Sequence, residues 1–327
     1  MKSFPTISIV IPTYNEEKNI GNCLDSIIKQ NYPKDKLEII IIDDDSNDKT
    51  VDIVKKYPVK ILRNGYKHGE VGKMIGFKKA KGDFFMYLDA DNELIGDGWF
   101  QKMLMPLLDN KDIVGSFTFE GARKTDSPIE RYLSFDPLQR DSIYQYFSPS
   151  IDKVVEEKRD NYWVCAYKLD IIPPAGRCLY RRKEIQKIIS GYKMFLELDF
   201  LVLLVKNGLN KFAYVPDAGL YHHHASSLVQ LIKKRKYNLT KVYFKHVENN
   251  LYTWFDLKTP KDLLKIIIWI VYANLIIPSV AVGVYKFLKY KDLAAFYEPL
   301  VNVLVTDVIV FTFLTHYRGR ALLKFLN

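Results

Sequence analysis

Residues 39–50 read IIIIDDDSNDKT, four isoleucines running straight into three aspartates. A short continuous apolar run bounded by polar residues is how a strand buried on both faces reads. Three adjacent carboxylates repel one another, so the cluster needs partners that make its charge useful. Working outward, LEIIIID (37–43) is the buried strand and SNDKTVDIVKKY (46–57) the helix after it, capped by Asp45, Ser46 or Asp48. Upstream, ISIVI (7–11) is a strand ended by Pro12, which has no N–H to donate. NEEKNIGNCLDSIIKQ (15–30) sets Ile20, Leu24, Ile27 and Ile28 at helical spacing. Downstream, VKILRN (59–64) predicts a third strand, GEVGKMIGFKKAKG (69–82) a helix closed by Gly82, and DFFMYLDAD (83–91) a fourth strand. Strand–helix alternation with continuously apolar strands predicts an α/β fold: a mostly parallel sheet covered by helices on both faces. Ligands of such sheets bind outside the carboxyl ends of the strands. PTYNE, DDDS and DAD all fall there.

With 327 residues the chain fills one large domain or two smaller ones. Hydrophobic residues make up 48%, which excludes bulk disorder. A net charge of +10 favours anionic partners without choosing among them. Cys23, Cys165 and Cys178 are odd in number and unpatterned, which predicts neither a disulfide framework nor a metal knuckle and fits a reducing compartment. The opening MKSFPTISIVIPTYN does not read as a signal peptide. Residues 266–285, IIIWIVYANLIIPSVAVGVY, carry no charge and as one straight helix would reach ~30 Å, a bilayer core. A second apolar stretch, 293–317, contains Glu298 and Asp307 on opposite faces of a straight helix, which disfavours lipid exposure unless both are paired or near the edge. Lysines and arginines flank both stretches, so charge does not fix their orientation.

In LDAD (88–91), Asp89 and Asp91 point to one side of an extended backbone. Paired carboxylates there suit Mg²⁺ or Mn²⁺, with the remaining ligands from a diphosphate and water. The plain alternative is a solvated acidic turn. Asp44 is the aspartate best placed to accept hydrogen bonds from a nucleobase.

SIVIPTYNEEKNI (8–20), IIIIDDDSNDKT and GDFFMYLDADN (82–92), in this order, resemble glycosyltransferase family 2 with the GT-A fold, over residues 5–225 or so. The resemblance implies inverting sugar transfer from a nucleotide-diphosphate sugar, UDP- or GDP-linked, with a divalent metal. It implies that Pro12, Tyr14 and Glu16 line the base and ribose pocket, that Asp44 binds the base, and that Asp89 and Asp91 hold the ribose and the metal–diphosphate. In FLELDFLVLLVKNG (195–208), Glu197 stands where the family has its catalytic Asp, and Asp199 follows. Either carboxylate could be the base. Lys73 resembles the family's loop-borne basic residue near the nucleotide, against a plain reading as a solvated helix lysine. His222, in YHHHASS, stands where some relatives place a metal or diphosphate contact. Arg181 and Arg182, in GRCLYRR (176–182), resemble an acceptor-side segment that would meet a phosphate, with a surface role as the alternative. Arg235, in KKRKY (233–237), is a loose match to an active-site arginine of membrane-attached relatives. The same block shortly before a membrane segment suits anionic headgroups, and no nucleic-acid module accompanies it.

These readings predict a GT-A catalytic domain over 1–225, an interfacial amphipathic region over 226–261 and a membrane-associated helical hairpin over 262–327. They predict a cell-membrane enzyme with its catalytic domain on the cytoplasmic face and a lipid-linked saccharide or glycolipid as acceptor. A polyprenyl phosphate, as dolichol-phosphate mannose synthases use, is the second acceptor class. A catalytically silent nucleotide-sugar-binding membrane protein is the non-enzyme alternative.

Overall fold

The computed structural model describes residues 4–66, 68–136, 141–148, 150–168, 179–195, 197–244, 256 and 259–324. The third cysteine, Cys178, lies outside them. In chain order the elements are β1 (Ile7–Thr13), α1 (Ile20–Ile28), β2 (Leu37–Asp43), α2 (Thr50–Val54), β3 (Lys60–Arg63), α3 (Gly69–Lys79), β4 (Phe84–Tyr87), β5 (Asn92–Leu94), α4 (Trp99–Asp109), β6 (Ile113–Phe117) and β7 (Glu120–Gly121). Then come α5 (Pro128–Leu133), α6 (Ser142–Phe147), β8 (Val155–Lys158), β9 (Trp163–Ala166), β10 (Leu179–Arg181), α7 (Arg182–Ile189), α8 (Glu197–Lys206), β11 (Lys211–Tyr214) and β12 (Leu220–His222). The chain closes with α9 (Leu228–Tyr237), a π-helical turn (Asn238–Tyr243), α10 (Pro260–Asn274), α11 (Ile276–Tyr290), α12 (Glu298–Thr315) and α13 (Tyr317–Leu323). Contacts divide it into two units: Met1–Glu120 with Ile151–His222, and Gly121–Ser150 with His223–Asn327. Residues 121–150 fall in the second unit, within the 1–225 span expected for the catalytic domain.

The first unit is built on a nine-stranded sheet of order β3-β2-β1-β4-β10-β6-β11-β9-β8. β1 runs parallel to β2 and β4 and β2 to β3, as the apolar runs predicted, and β6 runs parallel to β11. The sheet is mixed, because β10 inserts antiparallel between β4 and β6 and β9 runs antiparallel to β11. Ile7, Ile9, Ile11, Ile39 and Ile41 share one buried cluster with Ile20, Leu24 and Ile27 of α1, so α1 covers one face. Two boundaries differ from expectation. β1 continues through Pro12 to Thr13 in register with Ile42 and Asp43, because the loop that follows is anchored to β2. Gly82 is not the cap of α3, which ends at Lys79 with Ala80 already extended. A Cβ on Gly82 would lie 2.6 Å from the Ser8 nitrogen, so the glycine permits a close backbone approach to β1.

In the second unit, Val301 and Val305 of α12 cluster with Ile129, Tyr132 and Leu133 of α5 and Leu231 of α9. The uncharged run 266–285 is not one straight helix. It breaks at Leu275, whose ψ of 108° is extended, and α10 and α11 are bent by 72°. Pro278 supplies the reason: its nitrogen has no hydrogen for the Asn274 carbonyl and its ring crowds the preceding turn. Leu293–Thr315 is long and apolar enough to cross a membrane. Its two acids are both paired, as lipid tolerance would require. The fully buried Glu298 accepts from Lys286 Nζ at 2.6 Å, Tyr132 Oη at 2.8 Å and Asn302 Nδ2 at 3.1 Å. Asp307 accepts from Asn274 Nδ2 at 3.2 Å.

Candidate active site

The three aspartates after β2 have separate fates. Asp43 clasps the neighbouring strand and its own loop: its carboxylate accepts from Thr13 Oγ1 at 3.1 Å, Ser46 Oγ at 2.6 Å and the Ser46 amide at 3.0 Å. Asp45, at φ 60°, turns outward to a two-pronged ion pair with Arg63 at 2.5 and 3.0 Å. Asp44 lies between them, buried, its amide bonded to the Thr13 carbonyl at 2.9 Å where β1 and β2 end. Asp48 accepts from the Thr50 amide at 2.9 Å at the entry to α2, but the N-cap residue is Lys49 and carries no side-chain capping bond, so none of Asp45, Ser46 and Asp48 is the N-cap.

The segment after β1 is fixed against this loop. Asn15, at φ 56°, accepts from the Asn47 amide with its side chain and donates its own amide to Ser46. The Glu16 amide donates to Thr50 Oγ1 at 2.7 Å. Pro12 is half-buried in β1 and Tyr14, just past its end, is exposed.

Asp89 and Asp91 follow β4, whose extension is tied to β1 by the Leu88 amide on the Val10 carbonyl at 3.1 Å. Lys73 is on helix α3, not on a loop, and its ammonium is the hub of the site. It lies 2.6 Å from Glu197, 3.3 Å from Glu70 and 4.0 Å from Asp89. Burial disfavours its charge, but Glu197, Glu70 and Asp89 together hold its pKa well above the ordinary lysine value. The solvated-lysine reading is thereby excluded. Glu197 opens α8 and reaches Lys73 across 124 positions of sequence. Asp199 lies in the same first turn, half-buried. Glu70 was not singled out from sequence. Its three-residue offset from Lys73 on one helix face was the available signal. Burial first, then Glu197 and Asp89 against the pull of Lys73, pushes its carboxyl up to about 7. Asp89 is raised too, first by desolvation and then by Glu197 and Asp91, with Lys73 opposing.

β12 runs antiparallel to β5 and sets His222 opposite Asn92, one residue past Asp91. His222 Nε2 lies 3.6 Å from Asp91 Oδ2, and Nδ1 lies 2.8 Å from Glu120. Burial works against its proton, but Glu120 and Asp91 prevail and raise the imidazole to about 10. Glu120, 102 positions away, had no sequence signal. His223 and His224 belong to the second unit.

Among the described residues no three His, Cys, Asp or Glu side chains converge to hold a metal ion by themselves. Asp89 and Asp91 are nevertheless oxygen donors of the kind Mn²⁺ accepts, and His222 joins them only by giving up the proton that Glu120 and Asp91 hold on it. Such ions are commonly held by one or two carboxylates plus substrate phosphates, so this set fits an ion shared with a diphosphate.

Two candidate groups fall elsewhere. Arg181 pairs with Phe84, the first residue of β4, and so lies at the sheet end opposite Asp89. Its guanidinium is spent on the carbonyls of Leu107, Asn110 and Ile113. Arg182 donates to the Gly82 carbonyl at 2.5 Å and to Gln186 at 3.0 Å. Sequence could not reveal that β10 is antiparallel, which is what carries both arginines away from the carboxyl ends. Arg235 is in the second unit, buried against the fully buried Asp141 and over the Tyr144 ring. It is an interior ion pair.

Residues 8–156 match the family model described as glycosyl transferase family 2. A dolichyl N-acetyl-alpha-D-glucosaminyl phosphate 3-beta-D-2,3-diacetamido-2,3-dideoxy-beta-D-glucuronosyltransferase of Methanococcus voltae is 42% identical over 91 residues, 26% of this chain and 28% of that protein. A dolichol-phosphate mannosyltransferase of Pyrococcus furiosus is 35% identical over 133 residues, 39% of this chain and 37% of that one. The first of the curated relatives are matched over only 16% to 35% of their own length. A mannosyltransferase of Pyrobaculum calidifontis, solved with GDP-Man and Mn²⁺, superposes with a TM-score of 0.55 at 14% identity. It covers 97% of this chain and 89% of that one, and the likeness is one of fold: GT-A.

Proposed function

Taking residues 8–156 as a glycosyl transferase family 2 domain, we propose that the chain is an inverting, metal-dependent glycosyltransferase. It moves a sugar from a UDP- or GDP-sugar to a lipid-linked saccharide or glycolipid, with the catalytic part, 1–225, at the cytoplasmic face of the cell membrane. The observation that carries this reading is the convergence of Asp89 and Glu197 on Lys73 beside the carboxyl ends of β1, β2 and β4.

Inversion requires one carboxylate to take the acceptor's proton on the face opposite the leaving diphosphate. Glu197 is that base, and Lys73 holds its carboxylate in one orientation. Asp199 is the reserve candidate in the same helical turn. Asp44 accepts from the base of the nucleotide, while Pro12, Tyr14 and Glu16 line its pocket. Asp89, Asp91 and His222 would hold Mn²⁺ or Mg²⁺, which supplies charge stabilisation to the departing diphosphate.

The dolichol-phosphate mannosyltransferase relative supports a second acceptor class, a bare polyprenyl phosphate. A donor screen on membrane-reconstituted protein with Mn²⁺ separates the two. Transfer only with total lipid extract supports the glycolipid reading. Transfer to polyprenyl phosphate alone selects the second. Nucleotide binding without turnover from any donor contradicts both and leaves a silent binding protein. Chelation by EDTA is expected to abolish transfer, and full activity in EDTA would remove the metal.

A further inference from the structure

The second unit presents a large apolar surface whose geometry does not suit a span. Leu275, Ile276 and Ile277, at the break between α10 and α11, are 51%, 63% and 85% exposed. Both arms are free of charge from Ile266 to Tyr285, and exposed lysines stand at their far ends: Lys261 and Lys265 on one, Lys289 and Lys291 beyond the other.

Magnitudes decide between crossing and dipping. At ~1.5 Å per residue, the charge-free arms 266–274 and 276–285, bent by 72°, leave their ends about 23 Å apart, against a hydrocarbon core of ~30 Å. A crossing pair would drag lysines into hydrocarbon. It would also set an exposed helix break at mid-bilayer, where open backbone groups have no partner. Asp307, bonded to Asn274 beside the break, would sit there too, at a charge cost of several kcal/mol. Laid as a shallow V, the same arms carry the apex about 8 Å below the lysines, within the ~5–10 Å depth of interfacial helices.

α12 fits the same picture. Its buried face carries Glu298, Asn302, Thr306 and Thr312, and Val301 and Val305 cluster with Leu231 of the lysine-rich α9. A helix so partnered is not surrounded by lipid.

We propose that the second unit is a one-leaflet membrane anchor. The α10–α11 apex wedges into a single leaflet, the lysines at its base meet anionic headgroups, and no described helix crosses the bilayer. This departs from the expectation of a spanning segment over 266–285 and rests on the membrane attachment proposed above.

The test uses the full chain added to preformed vesicles of phosphatidylcholine with phosphatidylglycerol. Lys261→Cys, Ile277→Cys and Lys289→Cys are labelled with a membrane-impermeant maleimide and compared with the parent chain. The expected result is labelling of both lysine sites from outside, protection of position 277, and stronger quenching of a fluorophore there by shallow than by deep lipid spin labels. Ile277→Asp, at an exposed position, should weaken vesicle binding about 10- to 100-fold by the usual worth of burying one such side chain. Protection of one lysine site until detergent is added would make the pair a span and overturn the proposal. So would aqueous labelling of position 277 in the bound protein, or Ile277→Asp binding like the parent. Failure of the parent to float with vesicles, or an apex covered instead in a dimer, would overturn it as well. Nucleotide-sugar turnover, measured separately, keeps that failure distinct from failure of the enzyme reading.

Discussion

The three aspartates after β2 have different surroundings. Asp43 is bound to Thr13 and Ser46 and Asp45 to Arg63, while Asp44 is buried where β1 and β2 end and is the aspartate proposed above to meet the nucleobase. Asp44→Ala should weaken nucleotide affinity about 10- to 100-fold, the usual worth of hydrogen bonds to a charged group. Calorimetric titration with UDP and GDP checks this, and unchanged affinity for both would remove the role. Glu70 carries a pH signature. Its folded pKa of about 7 stands above the ordinary 4.5, so between those values the folded chain binds more protons than the unfolded one. Its contribution to stability therefore falls as pH rises from about 4.5 to about 7. Glu70→Gln should remove that fall, its melting curve gaining on wild type toward pH 8. Parallel pH profiles of the two proteins would contradict it. Glu70 escaped the sequence reading because an acid three residues from a lysine on a helix is commonplace. Only burial makes it a member of the site.

Among elements, the buried strands and their helices were legible because isoleucine runs and 3.6-residue spacing report burial directly. The carboxyl-end rule then placed Asp44, Asp89 and Asp91 without coordinates. Strand direction was not legible. Nothing in GRCLYRR tells an antiparallel insertion from a parallel one, and on that hung Arg181 and Arg182. Long-range pairings such as Lys73 with Glu197 and His222 with Glu120 leave no local pattern either. Helix α3 must lie close on β1 to deliver Lys73. A Cβ at Gly76 would come 2.3 Å from Val10 Cγ1, so Gly76→Ala should cost about 1–3 kcal/mol by overpacking. Denaturant unfolding measures this, and adding Val10→Ala should recover part of the loss. A fully additive double mutant would mean that the two residues do not press on one another.

For the whole molecule, composition gave the apolar character of the C-terminal third but not the path of its helices. Hydropathy averages over a window, and a 72° break inside the window is invisible to it. Pro278 was the available warning. The central claim is that Glu197, oriented by Lys73, is the base of a sugar transfer. The most direct measurement compares wild type with Glu197→Gln for nucleotide-sugar binding and for transfer to lipid extract with Mn²⁺. Unimpaired donor binding with turnover reduced at least ~100-fold is the predicted result, the ordinary contribution of a general base. Wild-type turnover by Glu197→Gln would contradict the claim and move the base to Asp199 or elsewhere.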